Sequence, residues 1–223
     1  GSLDPAFDGD GMVVTPVTTG FAFSVALQAD GKILVGGTTG GDFALARYHT
    51  NGALDTTFNG TGIATADFAA SQDTAHSVLV KGNQKIILVG SATNANEDTA
   101  LVQFQPNGNL DLTFSGDGKS SVSLTANAEE PNGAAFQSDE KIIVTGTLFN
   151  GTFNQMYVAR FTTNGDLDAA GFGFLGLNID PFPGHDFTSS SCPSNSTVRL
   201  TIDSPSPRPL LRSRSGFCNW KNS

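Results

Sequence analysis

Apolar and polar residues alternate in a pattern that recurs three times along the chain. In each recurrence two apolar, β-branched runs flank a short polar turn, which predicts a β-hairpin. The three hairpins lie at residues 24–37, 77–91 and 133–147. A third run follows each hairpin, as at 42–48, where apolar residues alternate with polar ones as in a half-buried strand.

A short motif follows the third run. Gly-x-Leu-Asp begins at residues 1, 52, 108 and 165, with spacings of 51, 56 and 57 residues, and three copies continue to a Phe. The residues of this motif are Leu3, Asp4, Phe7, Leu54, Asp55, Phe58, Leu110, Asp111, Phe114, Leu167 and Asp168. A fourth short run follows the Phe, so one unit is a four-stranded antiparallel meander of about fifty residues, the length of a propeller blade.

The aspartate of the motif has two interpretations. Its side chain can accept hydrogen bonds from backbone N–H groups two or three residues later, while Leu and Phe pack between sheets. Recurrence in every unit favours this structural role, because a catalytic residue is needed once per site. The alternative is calcium, for which Asp8, Asp10 and Asp117 offer oxygen donors. The middle copy, 59–62, has no acidic residue and no calcium-loop glutamate follows, so we predict no metal and no cofactor.

The run NGxLDxxFxGxG, followed by a VALQxDGKILVGG-like hairpin and FALARY, resembles the delta-60 repeat, a bacterial β-propeller repeat. This resemblance covers residues 1 to about 173. It implies an exported or surface-attached interaction module, hence an extracellular or cell-surface location, although no signal peptide is visible in this chain. The units are also similar to NHL-type blades, and by that analogy 24–28, 77–81 and 133–137 line the central channel.

We therefore predict an all-β fold: a partial β-propeller of three four-stranded antiparallel blades over residues 1–173, with a poorly patterned tail over 174–223. Closed propellers have roughly four to eight blades, and open sheet edges recruit other chains. We expect a homo-oligomer, with a six-bladed dimer favoured. Blade 3 has no obvious outer strand. Either 11–15 of a partner chain completes it, or 172–179 folds back locally.

The net charge of the chain changes sign at the boundary between the blades and the tail, after residue 173. The net charge of −9 comprises −11 over residues 1–173 and +2 over 174–223. Residues 1–173 are acidic enough to repel phosphate, which excludes nucleic-acid binding. No apolar run approaches the ~20 residues of a membrane span. We expect the tail to be extended or weakly ordered, from a truncated or frame-shifted gene end. It holds both cysteines, Cys192 and Cys218, as a disulfide or as free thiols.

The linear motifs of common hydrolases, zinc proteases, nucleotide binding and thiol redox chemistry do not occur in the sequence. The candidate catalytic residues are His76, placed just before an inner strand, and the adjacent His185 and Asp186. Aromatic residues in or near loops suit either stacking on sugars or filling space between blades. They are Phe21, Phe23, Phe149, Phe153 and Trp220.

The sequence thus favours an interaction or ligand-binding scaffold that uses the channel mouth, with a protein or a carbohydrate as its ligand. The alternative is a hydrolase of ester-type substrates, whose site would lie at the channel or at a subunit interface.

Overall fold

The structure, a computed structural model, describes residues 1–68, 72–93 and 97–168. Within these ranges the chain forms eleven β-strands and no helix, which confirms the all-β prediction. It follows that these ranges contain no helix that is long and apolar enough to cross a membrane. The tail predicted over 174–223, with His185, Asp186, Cys192, Cys218 and Trp220, lies outside the described residues.

The strands form three antiparallel sheets, here called blades 1 to 3, and in each sheet strands that follow in sequence are neighbours. Blade 1 comprises β1 Gly20–Leu27, β2 Ile33–Thr39, β3 Asp42–Tyr48 and β4 Ile63–Ala66. Blade 2 comprises β5 Thr74–Val80, β6 Ile86–Thr93, β7 Glu97–Phe104 and β8 Lys119–Val122. Blade 3 comprises β9 Glu129–Phe136, β10 Ile142–Phe149 and β11 Asn154–Phe161.

Blades 1 and 2 have the four predicted strands, and blade 3 has three within the described ranges. Another feature lies near the start of the chain. Residues 11–15, considered above as a strand that completes blade 3 of a partner chain, form no strand within the single chain. The physical reason is that the described residues include no third strand of that unit against which this segment could pair.

Residues at the same position in different blades are called equivalent below. The alignment is set by Lys32, Lys85 and Lys141, each of which immediately precedes the second strand of its blade.

Apolar side chains fill the two spaces between successive blades. The cluster between blades 1 and 2 includes Leu34, Phe43, Leu45, Ile86, Leu88 and Val102. The cluster between blades 2 and 3 includes Ile87, Val89, Leu101, Ile142, Val144 and Ala159. Because successive residues of a strand point to opposite faces, Ile87 and Leu88 join different clusters. Blade 2 is therefore covered on both faces.

The blades converge at their first strands. β5 contacts both β1 and β9, whereas the described parts of β4 and β8 make no comparable contact with each other. The first strands begin at Gly20, Thr74 and Glu129, three to four residues before the inner runs predicted from sequence. A β-bulge in each strand accounts for the difference, because it interrupts the alternation by which the strand was predicted.

A glycine of the second strand lies beside each bulge. A Cβ at Gly90 would overlap the carbonyl oxygen of Thr74, and Gly37 and Gly146 face equivalent carbonyls in their own blades. The bulge brings the first strand so close that no side chain fits there. These glycines are therefore required by the backbone geometry of the inner strands.

Gly90→Ala is predicted to lower the free energy of unfolding by about 1–3 kcal/mol, because the backbone of β5 must move to admit the methyl group. The matched control is Gly82→Ala, where the nearest atom to a new Cβ is Glu140 Oε1 at 3.9 Å. Urea unfolding of both variants measures the difference. Equal midpoints for the two variants would contradict the close approach.

Candidate functional site

The Leu-Asp motif joins the end of the third strand to the rest of its blade. Its leucine forms an isolated β-bridge with the last residue of the third strand. The three pairs are Leu54 with Tyr48, Leu110 with Phe104 and Leu167 with Phe161. The motif aspartate is thereby held beside the start of the second strand, where a lysine stands in every blade.

Asp111 illustrates the contacts that the motif aspartate makes. Its carboxylate is 1% exposed. Oδ2 lies 2.6 Å from Lys85 Nζ and accepts a hydrogen bond of 2.5 Å from Gln103 Nε2, while Oδ1 accepts one of 2.7 Å from Thr113 Oγ1. Burial raises the pKa of Asp111, but the hydrogen bonds from Lys85, Thr113 and Gln103 outweigh it and hold the pKa at about 2. The group is a buried, ionised anchor.

The equivalent aspartates are paired in the same way. Arg47 Nε lies 2.8 Å from Asp55 Oδ2, and Asp168 Oδ2 lies 3.0 Å from both Arg160 Nε and Lys141 Nζ. The sequence-based interpretation foresaw only the backbone hydrogen bonds of these aspartates and missed their cations. The available signal was the lysine repeated at the start of each second strand.

Asp4 lies in the copy of the motif that precedes blade 1. Its side chain is exposed and accepts a hydrogen bond of 2.9 Å from the backbone N–H of Ala6.

The phenylalanine of the motif reaches the Asn-Gly turn of the following unit. Phe58 lies against Gly108, where a Cβ would come within 3.1 Å of its ring. The N–H of Asn59 donates to the carbonyl of Asn107 at 2.7 Å. These contacts attach one unit to the next, and Phe114 lies against Gly165 in the same way.

The segment that precedes blade 1 makes the same contacts. Phe7 lies against Gly52, and the N–H of Asp8 donates to the carbonyl of Asn51 at 2.8 Å. Residues 3–11 therefore occupy, on blade 1, the place that the motif of one blade occupies on the next.

The residues considered for calcium form turns. Asp10 Oδ1 accepts the N–H of Met12 at 2.9 Å, and Asp117 Oδ1 accepts that of Lys119 at 2.9 Å. The equivalent Thr61 hydroxyl accepts a backbone N–H in the middle copy, which shows that the turn does not need a carboxylate. Asp8, which is exposed, lies in the left-handed region at φ 51°.

Among the described residues, the carboxylates of Asp42, Asp67 and Asp73 form a group with oxygens within 4.8 Å of one another. Both oxygens of Asp73 accept backbone N–H groups, from Phe68 at 2.8 Å and Thr93 at 3.3 Å. Burial raises the pKa of Asp73, and the charges of Asp67 and Asp42 add to the rise. Asp73 thus serves as a backbone anchor beside β6.

The three bulges place one residue of each inner strand outside the regular pairing. These residues are Phe23, His76 and Asn132. His76 therefore lies inside strand β5, not before the inner strand as the sequence suggested. Its Nδ1 lies 2.6 Å from the carbonyl oxygen of Pro131. Since a carbonyl only accepts, Nδ1 carries a proton, and Nε2 is an acceptor when the ring is neutral.

Phe23, one of these bulged residues, contacts both His76 and Phe21. The ring of Phe23 meets that of His76 edge-on with centroids 5.2 Å apart, and it stacks on Phe21 at 6.3 Å. Phe21 and Phe23 are 61% and 52% exposed. A cavity of about 440 Å³ adjoins both rings, with Thr18, Thr19, Gln72 and Thr74 in its wall. The candidate binding surface therefore combines exposed aromatic rings with neutral polar groups.

Two further aromatic residues considered for sugar stacking lie outside this surface. Phe149 and Phe153 are 40% and 52% exposed at the connection between β10 and β11. Among the described residues, the hydrogen-bond partner of His76 is the Pro131 carbonyl.

Comparison with known proteins agrees with this architecture. A family model described as "Domain of unknown function (DUF5122) beta-propeller" matches residues 28–58, 83–114 and 137–170. Each matched segment runs from the first hairpin turn through the second and third strands to the Leu-Asp motif. A search of curated proteins gave no match. Together with the three antiparallel sheets, the match to the family model supports a β-propeller repeat, and the fold is a partial β-propeller of three blades.

Asp111→Asn is predicted to lower the free energy of unfolding at pH 7 by about 2 kcal/mol, because the folded pKa of about 2 lies below the ordinary 3.8. This stabilisation is complete above pH 4 and is lost as the pH falls through about 2. Urea unfolding at pH 7, 4, 3 and 2 measures it.

The control is Asp8→Asn, which changes an exposed carboxylate. The difference between the wild type and Asp111→Asn should shrink below pH 4. A difference independent of pH would contradict the assignment of Asp111 as an ionised anchor.

Proposed function

We propose that this protein is a β-propeller binding scaffold whose ring is completed by a second copy of the chain, giving six blades. The observation that carries the proposal is a difference between equivalent residues. Val25 and Val78 are equivalent, since each pairs with the third residue of its second strand. Val78 is 6% exposed beneath blade 1, whereas Val25 is 66% exposed. The face of blade 1 that contains Val25 is therefore exposed to water, whereas the equivalent faces of blades 2 and 3 are buried.

A second position on the same face behaves alike. Leu27 is 67% exposed. Its equivalents, Val80 and Phe136, pack against the clusters between blades.

The complementary face lies on blade 3. Phe43 on blade 1 is fully buried against blade 2. Its equivalent on blade 3 is Met156, which is 81% exposed. The two open faces are therefore the two halves of the contact that already joins blade 1 to blade 2, and such a contact can form between copies head to tail.

The segment before blade 1 supports the same arrangement. Residues 12–17 run beside blade 1, and a gap of about 570 Å³ separates them from apolar residues such as Val35 and Ala44. Residues 3–11 occupy the position that the motif of a blade preceding blade 1 would have. We therefore take the gap as the position of the first three strands of that missing blade. Blade 3 of a second copy has three described strands to offer, and 11–15 would be its fourth. The local alternative, 172–179, lies outside the described residues.

The binding role is proposed for the inner strands at the channel mouth, where the bulges place Phe23, His76 and Asn132. The resemblance to the delta-60 repeat supports an extracellular or cell-surface location. The hydrolase alternative rests on His76, whose Nδ1 lies 2.6 Å from the Pro131 carbonyl oxygen, and on His185 and Asp186, which lie outside the described residues.

Val25→Asp is predicted to convert a two-chain assembly into single chains, because closure would bury an unpaired charge between blades. Met156→Asp should do the same from the other face. Light scattering coupled to size-exclusion chromatography measures the mass directly.

The matched control is Leu112→Asp. Leu112 is 65% exposed and follows Asp111 in a turn, away from both open faces. It should leave the mass at two chains. A wild type with the mass of one chain would overturn closure by a second copy.

A further inference from the structure

We propose that the cavity beside Phe21 and Phe23, together with His76 and Asn132, is a binding site for a neutral carbohydrate. This inference rests on the proposed binding role of the channel mouth and names its ligand class. It does not depend on whether a second copy closes the ring.

The first argument comes from the bulges. A bulge frees one residue from the ladder and redirects its side chain, and bulges of this kind occur frequently beside functional sites. Here the backbone device is repeated in all three blades, yet the side chains differ: Phe23, His76 and Asn132. By contrast, the equivalent residues Ile86 and Ile142, which pack between blades, are the same residue type. Packing alone therefore does not explain the residues at the bulges.

The second argument is the exposed aromatic surface. The rings of Phe21 and Phe23 form a stacked pair, with their planes inclined by 28° and their centroids 6.3 Å apart. More than half of each side chain is in water. Exposed ring faces offer an apolar surface, and the C–H face of a pyranose is also apolar and can stack on such a face.

The third argument is the polar groups around these rings. The residues that line the cavity include Thr18, Thr19 and Thr74, whose side chains carry hydroxyls, and Gln72, whose side chain carries an amide. Hydroxyls and amides both donate and accept, as the hydroxyl groups of a sugar do. Further along the inner strands, His76 offers Nε2 and Asn132 offers an exposed amide.

Charge narrows the class to neutral sugars. No charged residue is among those that line the cavity in the described part of the chain. Thr38, in the wall, is held by its hydroxyl, since Oγ1 donates at 2.9 Å to the backbone carbonyls of Asp42 and Asp73. A charged sugar would lose hydration without gaining an opposite charge from these lining residues, whereas a neutral sugar incurs no such cost.

The test uses the full chain on an array of hexasaccharides of glucose, mannose, galactose and xylose. Hexamers of galacturonic acid and of glucosamine, and short peptides, stand in the same array. Titration calorimetry then gives Kd for the strongest neutral binder. We expect Phe23→Ala and Phe21→Ala each to raise Kd about tenfold, while Phe23→Tyr, which keeps the ring, should change Kd less than about threefold.

Phe153→Ala is the matched control, because Phe153 is also 52% exposed but lies at the connection between β10 and β11. It should leave Kd unchanged. The proposal is overturned if no neutral hexasaccharide binds, or if Phe23→Ala and Phe153→Ala have equal effects. Peptide binding that is lost in Phe23→Ala would overturn the sugar class but retain the scaffold. A single-chain mass with intact sugar binding would overturn only the closure.

Discussion

Each blade of this protein is apolar on both faces, and such a sheet is stable only where another layer covers each face. Blade 2 meets this condition, since Leu88 is buried against blade 1 and Ile87 against blade 3. Within the described ranges, blades 1 and 3 are each covered by a neighbouring blade on one face, which leaves Val25 and Met156 largely in water. The same packing rule therefore explains the interior of the molecule and the two faces through which we expect it to associate.

Two local devices keep the faces in register. The first is the buried carboxylate exemplified by Asp111, which ties the turn after the third strand to Lys85 at the start of the second. The second is the glycine beside each bulge, such as Gly90, which lets the first strand approach closely. The carboxylate fixes the strands that build the contact between blades. The glycine shapes the inner strands, where we place the binding surface.

The repeat, the hairpins and the meander of each blade could be predicted from sequence, because period-2 alternation and the Leu-Asp motif are local signals. The bulges could not, because Phe23, His76 and Asn132 share no chemistry and the bulge itself breaks the alternation. The Lys85–Asp111 contact was missed since its partners are far apart along the chain, although both recur in every unit. His76 was selected by residue type alone, and its orientation by the Pro131 carbonyl arises only when blades 2 and 3 meet.

Closure between copies is tested most directly by a disulfide across the open faces. Where blade 1 meets blade 2, a Cβ at Gly36 would lie 3.4 Å from Val78 Cβ, close to the separation in a disulfide. The equivalents of Gly36 and Val78 on the open faces are Thr145 and Val25. In a chain with Cys192→Ser and Cys218→Ser, the pair Thr145→Cys and Val25→Cys is predicted to give a covalent two-chain species on oxidation. A chain that runs as a single copy on a denaturing gel, with both new thiols still free, would contradict closure.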